Sequence, residues 1–358
     1  MKKKLRIAEV APLWVTVPPK KYGGIERVVA ILSDGLVSRG HEVTLFASPG
    51  SRTNARLISV YPQPLTEANI PWSNPIWNLK NLSTAFEMAK NGIFDIVHCH
   101  LDLWGLFFQH LADVPVLHTM HNPMCRTNAD ASNIDRLALF RESASRMQIV
   151  FVSQSAKDLA QVEFSGRHAR VIYNGIDFSH FIFNPKGGGH FIWIARVNKH
   201  KGIENAITAV ERMDARLLLA GRIDPTQQEY FDREIKPHLS DKIRYVGECT
   251  EEELSGFYGN AKALLYPIEW DEPFGLVVAE AMACGTPVIA YNRGAMPELI
   301  EDGKTGFVVE SDIENIISAM GRIDTIDRKT VREIAEQKFS KERMVSDYEK
   351  LFYEIQVL

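Results

Sequence analysis

The sequence predicts two α/β domains, each a parallel sheet covered by helices. Three observations carry this. Short apolar runs alternate with segments whose apolar residues recur at helical spacing along nearly the whole chain. The connections between runs are long enough to hold a crossover helix, as parallel pairing requires. The chain is 358 residues long, which suits about two domains.

Residues 5–11 read as the first strand. A loop rich in Pro and Lys follows and ends at Tyr22-Gly23-Gly24. From Ile25 to Ser38 the apolar positions are Ile25, Val28, Val29, Ile31, Leu32 and Leu36, one helix face, and Gly40 suits the turn after it. Residues 41–47 complete a βαβ unit. Further strands are expected at 94–98, 114–119 and 149–153, the last followed by a helix from about Ser155. Residues 171–173 lead into the turn Asn174-Gly175-Ile176-Asp177. The run Gly187-Gly188-Gly189 reads as a flexible stretch suited to a domain boundary. A second series follows at 191–195, 216–220, 243–246, 263–266 and 287–290. Ser340 suits the cap of a last helix from Lys341, with Met344, Tyr348, Leu351, Phe352 and Ile355 on one stripe. The expected domains are 1–180 and 181–340, with 341–358 a helix packing back on the N-terminal domain. A cleft is expected between the domains, and ligands in such sheets sit at the carboxyl ends of strands.

Composition narrows the function. Hydrophobic residues make up 45% and charged residues 24%, which excludes a disordered chain, a collagen-like fibre and a small disulfide scaffold. Basic and acidic residues number 41 and 45. A protein that holds nucleic acid by counterion release carries a basic excess, so that partner is not expected. Residues 1–180 hold 19 basic and 15 acidic side chains, and the remainder 22 and 30. Either the two surfaces differ by chance, or the first half meets an anionic acceptor or a membrane surface. Cys99, Cys125, Cys249 and Cys284 form no CxxC pair, and scattered thiols fit a reducing compartment. Met1-Lys2-Lys3-Lys4 resembles the basic end of a signal peptide, but Arg6 and Glu9 interrupt the apolar stretch that follows. No stretch has the about 18–20 apolar residues of a membrane span. The expected location is the cytoplasm, with peripheral contact at the inner membrane face left open.

The segment from Glu272 to Pro287 carries the strongest signal. Pro273 suits a helix start and Gly285 a helix end. Gly275 lets a ligand approach the backbone, where helix N–H groups form a phosphate site. Glu272 and Glu280 stand eight residues apart, roughly 12 Å along a helix. Either both are exposed helix residues, or they hold a ribose and a hexose on either side of a diphosphate. Arg196 and Lys201 follow the strand 191–195; they read as a solvated basic loop or as cations beside a leaving diphosphate. Gly24 can offer its N–H to a phosphate at a helix start. No GxGxxG follows the first strand, against a nicotinamide-dependent dehydrogenase. His121, at the end of 114–119, is either structural or a ligand of a sugar hydroxyl. His98 and His100 lack a third ligand nearby in sequence, so no metal site is expected. No two aspartates stand at D-x-D spacing, which argues against a metal-chelated nucleotide diphosphate.

Taken together, these segments resemble the GT4 family of retaining glycosyltransferases, which has the GT-B fold of two Rossmann-like domains. The resemblance runs from Gly-Gly-Ile-Glu through Thr-x-His, Asn-Gly-Ile-Asp and Arg-x4-Lys-Gly to Glu-x7-Glu and the final helix. It implies a hexosyltransferase that moves a sugar from a nucleotide-diphosphate donor to a hydroxyl acceptor (a sugar, a lipid-linked sugar or a small molecule), without metal or other cofactor. Arg196 and Lys201 look like the diphosphate pair. Glu272 resembles the glutamate facing the donor sugar, with the backbone of Phe274, Gly275 and Leu276 nearby, and Glu280 the ribose ligand. Gly24 is similar to a glycine whose N–H meets the phosphate, His121 to a histidine beside the transferred sugar, and the backbone near Cys249 to the stretch that reads the base. The long loop at Pro18-Pro19-Lys20-Lys21 and the pair Trp270-Asp271 depart from the plainest pattern. A phosphorylase or nucleotide-sugar epimerase on the same fold, or a non-catalytic nucleotide-sugar-binding subunit, are the alternatives.

Overall fold

The structure, a computed structural model, describes residues 3–21, 23–122, 138–142, 147–160 and 169–356. Tyr22, Cys125 and His168 lie outside the described residues. The chain divides into two units: Met1–Gly175 with Lys341–Leu358, and Ile176–Ser340.

The first unit holds a seven-stranded sheet in the order β3-β2-β1-β4-β5-β6-β7. Its strands are β1 (Arg6–Val10), β2 (Glu42–Phe46), β3 (Arg56–Ile58), β4 (Ile96–Cys99), β5 (Val116–Met120), β6 (Gln148–Phe151) and β7 (Ala169–Val171), and every pairing is parallel. Both faces are covered, so the central strands read as unbroken buried runs rather than alternating ones. Ile7, Ala8, Glu9 and Val10 are all without exposure. The helix Gly24–Ser38 buries Val28, Val29, Leu32 and Leu36. The last helix, Lys341–Ile355, belongs to this unit and buries Met344, Val345, Tyr348, Leu351, Phe352 and Ile355. It is fastened by Glu349, whose carboxylate takes Arg39 at 2.9 Å and His41 at 3.1 Å.

The second unit holds a six-stranded parallel sheet in the order β10-β9-β8-β11-β12-β13. Its strands are β8 (His190–Ile194), β9 (Leu217–Ala220), β10 (Ile243–Tyr245), β11 (Ala261–Tyr266), β12 (Val288–Tyr291) and β13 (Gly306–Val309). The triple glycine lies inside this unit. A Cβ on Gly188 would stand 2.0 Å from the Asn260 carbonyl oxygen. The run is therefore a packed approach to β8, not a flexible boundary.

In each sheet the strand order reverses beside the first strand of the unit. β1 is flanked by β2 and β4, and β8 by β9 and β11. Such reversals open a crevice at the carboxyl ends, where open α/β sheets bind ligands.

Candidate active site

In the second unit the segments that follow β8 and β11 carry Arg196, Lys201 and Glu272. Arg196 leaves the end of β8, and its Nη1 stands 3.5 Å from Asp224 Oδ2; Arg222 Nε takes the other oxygen at 3.0 Å. Lys201 closes a 3-10 turn, Lys199–Lys201, capped by the Asn198 side chain. Two features fix the turn. Buried Trp193 donates Nε1 to the Lys201 carbonyl at 3.0 Å. Gly202 has φ +69°, and a Cβ there would stand 1.8 Å from the Pro267 carbonyl oxygen. Only glycine fits where this turn passes the end of β11.

The Lys201 ammonium reaches Glu272 Oε2 at 2.5 Å, with both side chains about 15% exposed. The same oxygen accepts from Tyr266 Oη at 2.9 Å and Trp270 Nε1 at 3.1 Å. Lys201 Nζ also lies 4.4 Å from the centre of the Trp270 ring, a cation–π contact. Glu272 Oε1 accepts no hydrogen bond among the described residues. One oxygen is held by three donors while the other is open to a hydroxyl.

The helix expected from Pro273 begins later, at Leu276, with Gly275 as N-cap, and runs to Ala283. Glu272 therefore stands in the preceding loop, and helical rise does not set its distance from Glu280. Phe274 is buried edge-on against Phe339, ring centres 5.8 Å apart. The first N–H groups of the helix, at Leu276 and Val277, lack intrahelical acceptors. Glu280 is buried, and Tyr258 Oη donates to its Oε2 at 2.7 Å. Cys249 precedes the capping box of Thr250 and Glu253. Burial and the nearby carboxylates push its thiol up to about 11, so it is no thiolate at neutral pH.

In the first unit Gly24 opens its helix. Two residues on, Glu26 is buried and pushed up to about 7 by desolvation. His121 follows β5, its N–H donating to Asp102 Oδ1 at 2.8 Å. Its Nε2 is 2.9 Å from His100 Nδ1, and His100 Nε2 is 2.9 Å from Glu9 Oε2. His98 Nδ1 is 3.0 Å from the same oxygen. The third group expected to be missing near His98 and His100 is thus present, as Glu9 from β1. The ligand atoms of Glu9, His98 and His100 lie within 4.8 Å of one another. Those of Glu9 and the histidines are engaged in hydrogen bonds with each other, with His121 and with Thr119.

Sequence reasoning missed Glu9, Asp102, Asp224 and Tyr266. A signal existed for Glu9, a carboxylate among the apolar residues Ile7, Ala8 and Val10 of β1. None existed for the others, which meet their partners only through the fold.

Two family models match. Residues 177–338 match glycosyl transferases group 1, and residues 22–180 match Glycosyltransferase Family 4. A glycogen synthase of Mycobacterium tuberculosis is 27% identical over 333 residues, covering 81% of this chain and 79% of that one. The fold is similar to a sucrose-phosphate synthase of Thermosynechococcus elongatus, with TM-score 0.84, 23% identity and 99% and 100% of the two chains covered. It is also similar to an Anabaena protein solved in complex with UDP-glucose, with TM-score 0.75, 18% identity and 99% and 100% covered. Among the described residues no helix is long and apolar enough to cross a membrane.

Proposed function

We propose a reaction from one premise: the chain belongs to the glycosyltransferases that join a family 4 domain to a group 1 domain. It is a transferase with the GT-B fold. Our reading is that it moves a hexosyl group from a nucleotide-diphosphate sugar to a hydroxyl acceptor, with retention of configuration and without metal. The observation that carries it is the Glu272 carboxylate, one oxygen held by Lys201, Tyr266 and Trp270 and the other open. That is a fixed acceptor for a sugar hydroxyl with a cation beside it.

In this reading the bond from the anomeric carbon to the diphosphate oxygen breaks. The bond to the acceptor oxygen forms on the same face, and the acceptor proton passes to a departing phosphate oxygen. Charge builds on the diphosphate, and Arg196, Lys201 and the N–H groups at Gly275 and Leu276 stabilise it. Glu272 orients the hexose by its hydroxyls, Glu280 takes the ribose, and the backbone near Cys249 reads the base. Gly24 offers its N–H to a phosphate, and His121 takes a hydroxyl of the transferred sugar. The free thiols Cys99, Cys249 and Cys284 support a cytoplasmic location. The basic first half supports contact with an anionic membrane face, tested by sedimentation with anionic and neutral vesicles.

The test is transfer from UDP-, GDP-, ADP- and TDP-sugars to an acceptor panel, with and without EDTA, with the product anomer read by NMR. We expect one nucleotide family to serve, EDTA to leave the rate unchanged, and the donor's anomeric configuration to persist. Lys201→Ala should abolish transfer while the circular dichroism spectrum is kept. Wild-type rates in that variant, or an inverted product, would overturn the reading.

A further inference from the structure

We propose that Glu9, acting through His100, holds His121 in the tautomer that carries its proton on Nδ1, so that His121 presents an N–H donor to its ligand. The ligand assignment rests on the reading above; the tautomer does not. Glu9 and His100 are positioning residues in this proposal, since neither touches substrate.

The argument is one of hydrogen-bond accounting in a buried network. Tyr348, Thr119, His98, Glu9 and His100 are all buried. Tyr348 Oη lies 3.0 Å from Thr119 Oγ1, the acceptor available to its proton. Thr119 then turns its own proton to His98 Nε2, at 2.8 Å. His98 Nε2 is thereby the bare nitrogen, and its Nδ1–H donates to Glu9, 3.2 Å from Oε1. The chain of donors thus runs inward to Glu9 from one side.

On the other side Glu9 Oε2 faces His100 Nε2 at 2.9 Å. Among the described residues no lysine or arginine pairs with Glu9, and an isolated carboxylate in such a site costs several kcal/mol. A neutral acid leaves the cluster without charge and every polar atom paired. Oε1 accepts from His98, and Oε2–H donates to His100 Nε2. His100 then has its proton on Nδ1 and donates it to His121 Nε2, at 2.9 Å. The remaining His121 proton is on Nδ1. Burial acts in the same sense on each group. It raises the Glu9 carboxyl above its ordinary value and pushes His98, His100 and His121 down to about 3, so none of the rings is charged at neutral pH.

The experiment is ¹⁵N NMR of histidine-labelled full-length protein, with His121 assigned by comparison with His121→Gln. No sugar or nucleotide is present, so the outcome does not depend on the transferase reading. We expect a pyrrole-type Nδ1 and a pyridine-type Nε2 at neutral pH. Glu9→Gln, whose amide can donate to His100 and accept from His98, should keep that pattern. Glu9→Met cannot donate to His100 and should lose the single tautomer. A proton on Nε2 in the wild-type protein, a doubly protonated ring, or a reversed tautomer in Glu9→Gln would overturn the proposal. If Glu9→Met does not fold, the wild-type spectrum decides alone. In a folded Glu9→Met, an unchanged tautomer would overturn it too.

Discussion

Lys201 and Glu272 form an ion pair 2.5 Å long at the carboxyl ends of β8 and β11, 71 residues apart in sequence. Each member has a second commitment. The Lys201 backbone is pinned by Trp193 and Gly202, and Glu272 Oε2 is shared with Tyr266 and Trp270. The Lys201 backbone is thereby held at the strand ends, while its ammonium, on a flexible stem, can turn towards a charge that arrives beside it.

The pair also sets up a competition. A diphosphate arriving at Lys201 must draw the ammonium away from Glu272. Glu272→Gln removes that rival charge while keeping the side-chain size. We expect UDP, or whichever nucleoside diphosphate binds, to bind the variant more tightly by up to about fivefold, the range of a partly exposed ion pair. Transfer should fall by about 10²–10³, the usual loss on removing a fixed electrostatic contact. Calorimetric titration beside a transfer assay checks both. Weaker diphosphate binding in Glu272→Gln would mean the glutamate helps hold the diphosphate.

Gly202 and Gly303 separate conformation from crowding. Both have left-handed φ, +69° and +74°. A Cβ at Gly303 meets nothing within 4 Å, whereas one at Gly202 meets the Pro267 carbonyl oxygen at 1.8 Å. Gly303→Ala should therefore cost about 1–2 kcal/mol, the left-handed penalty alone. Gly202→Ala should cost clearly more and should reduce transfer, because the Lys201 turn must shift. Urea unfolding of the two variants decides it, and equal losses would sink the steric account.

The central architecture was legible because buried parallel strands announce themselves as apolar runs. The edges were not. β3 is three residues, the exposed Arg56 and the half-buried Leu57 and Ile58, and β13 starts on Gly306. The helix Ile76–Lys90 went unseen for a different reason. Its buried face carries Asn78 and Asn81, which break the apolar period. They are buried because Asn78 Oδ1 accepts from the Leu13 N–H and Asn81 donates to the carbonyls of Ala11 and Phe46. The helix Arg328–Phe339 is half charged and buries only Val331, Ala335 and Phe339. Within the candidate site, Arg196, Lys201 and His121 stood out because strand ends are readable. Asp224 beside Arg196 and Asp102 beside His121 did not, and Glu9 meets His100 across 91 residues, where only the sheet order joins them.

Glu26 gives the stability a pH dependence of definite sign. Its folded pKa is about 7 against an ordinary 4.5, raised by burial. Between those values the folded chain binds more protons at this site than the unfolded chain. Stability from this group is therefore full below about 4.5 and is lost as pH rises through 7, by about 3 kcal/mol. Glu26→Gln should remove this slope. Unfolding free energies at pH 5 and pH 8 in both proteins give the comparison. The wild-type protein should lose more on going to pH 8 than the variant does, and parallel losses would place the Glu26 pKa near its ordinary value.

Arg328 joins the segments on which Glu280 rests. Its Nε donates to the Asn184 carbonyl at 2.7 Å and Nη1 to that of Ala261 at 3.0 Å. Nη2 reaches the Gly259 carbonyl at 3.0 Å and Thr286 Oγ1 at 2.7 Å. Burial lowers the guanidinium only to about 10, so it stays charged at neutral pH. A lysine has one nitrogen and cannot serve four acceptors spread around a planar fork. Arg328→Lys should leave at least two carbonyls unpaired in a half-buried site, at about 1–3 kcal/mol each. At about 2–4 °C per kcal/mol for a unit of this size, the melting temperature should drop by about 4–24 °C. Thr286→Val removes one acceptor of the fork and also the hydroxyl that donates to the Tyr258 carbonyl at 2.7 Å, and should cost about 1–3 kcal/mol. A scanning calorimetry trace of Arg328→Lys matching the wild type would show that this fork is dispensable and that apolar packing alone holds the Glu280 helix.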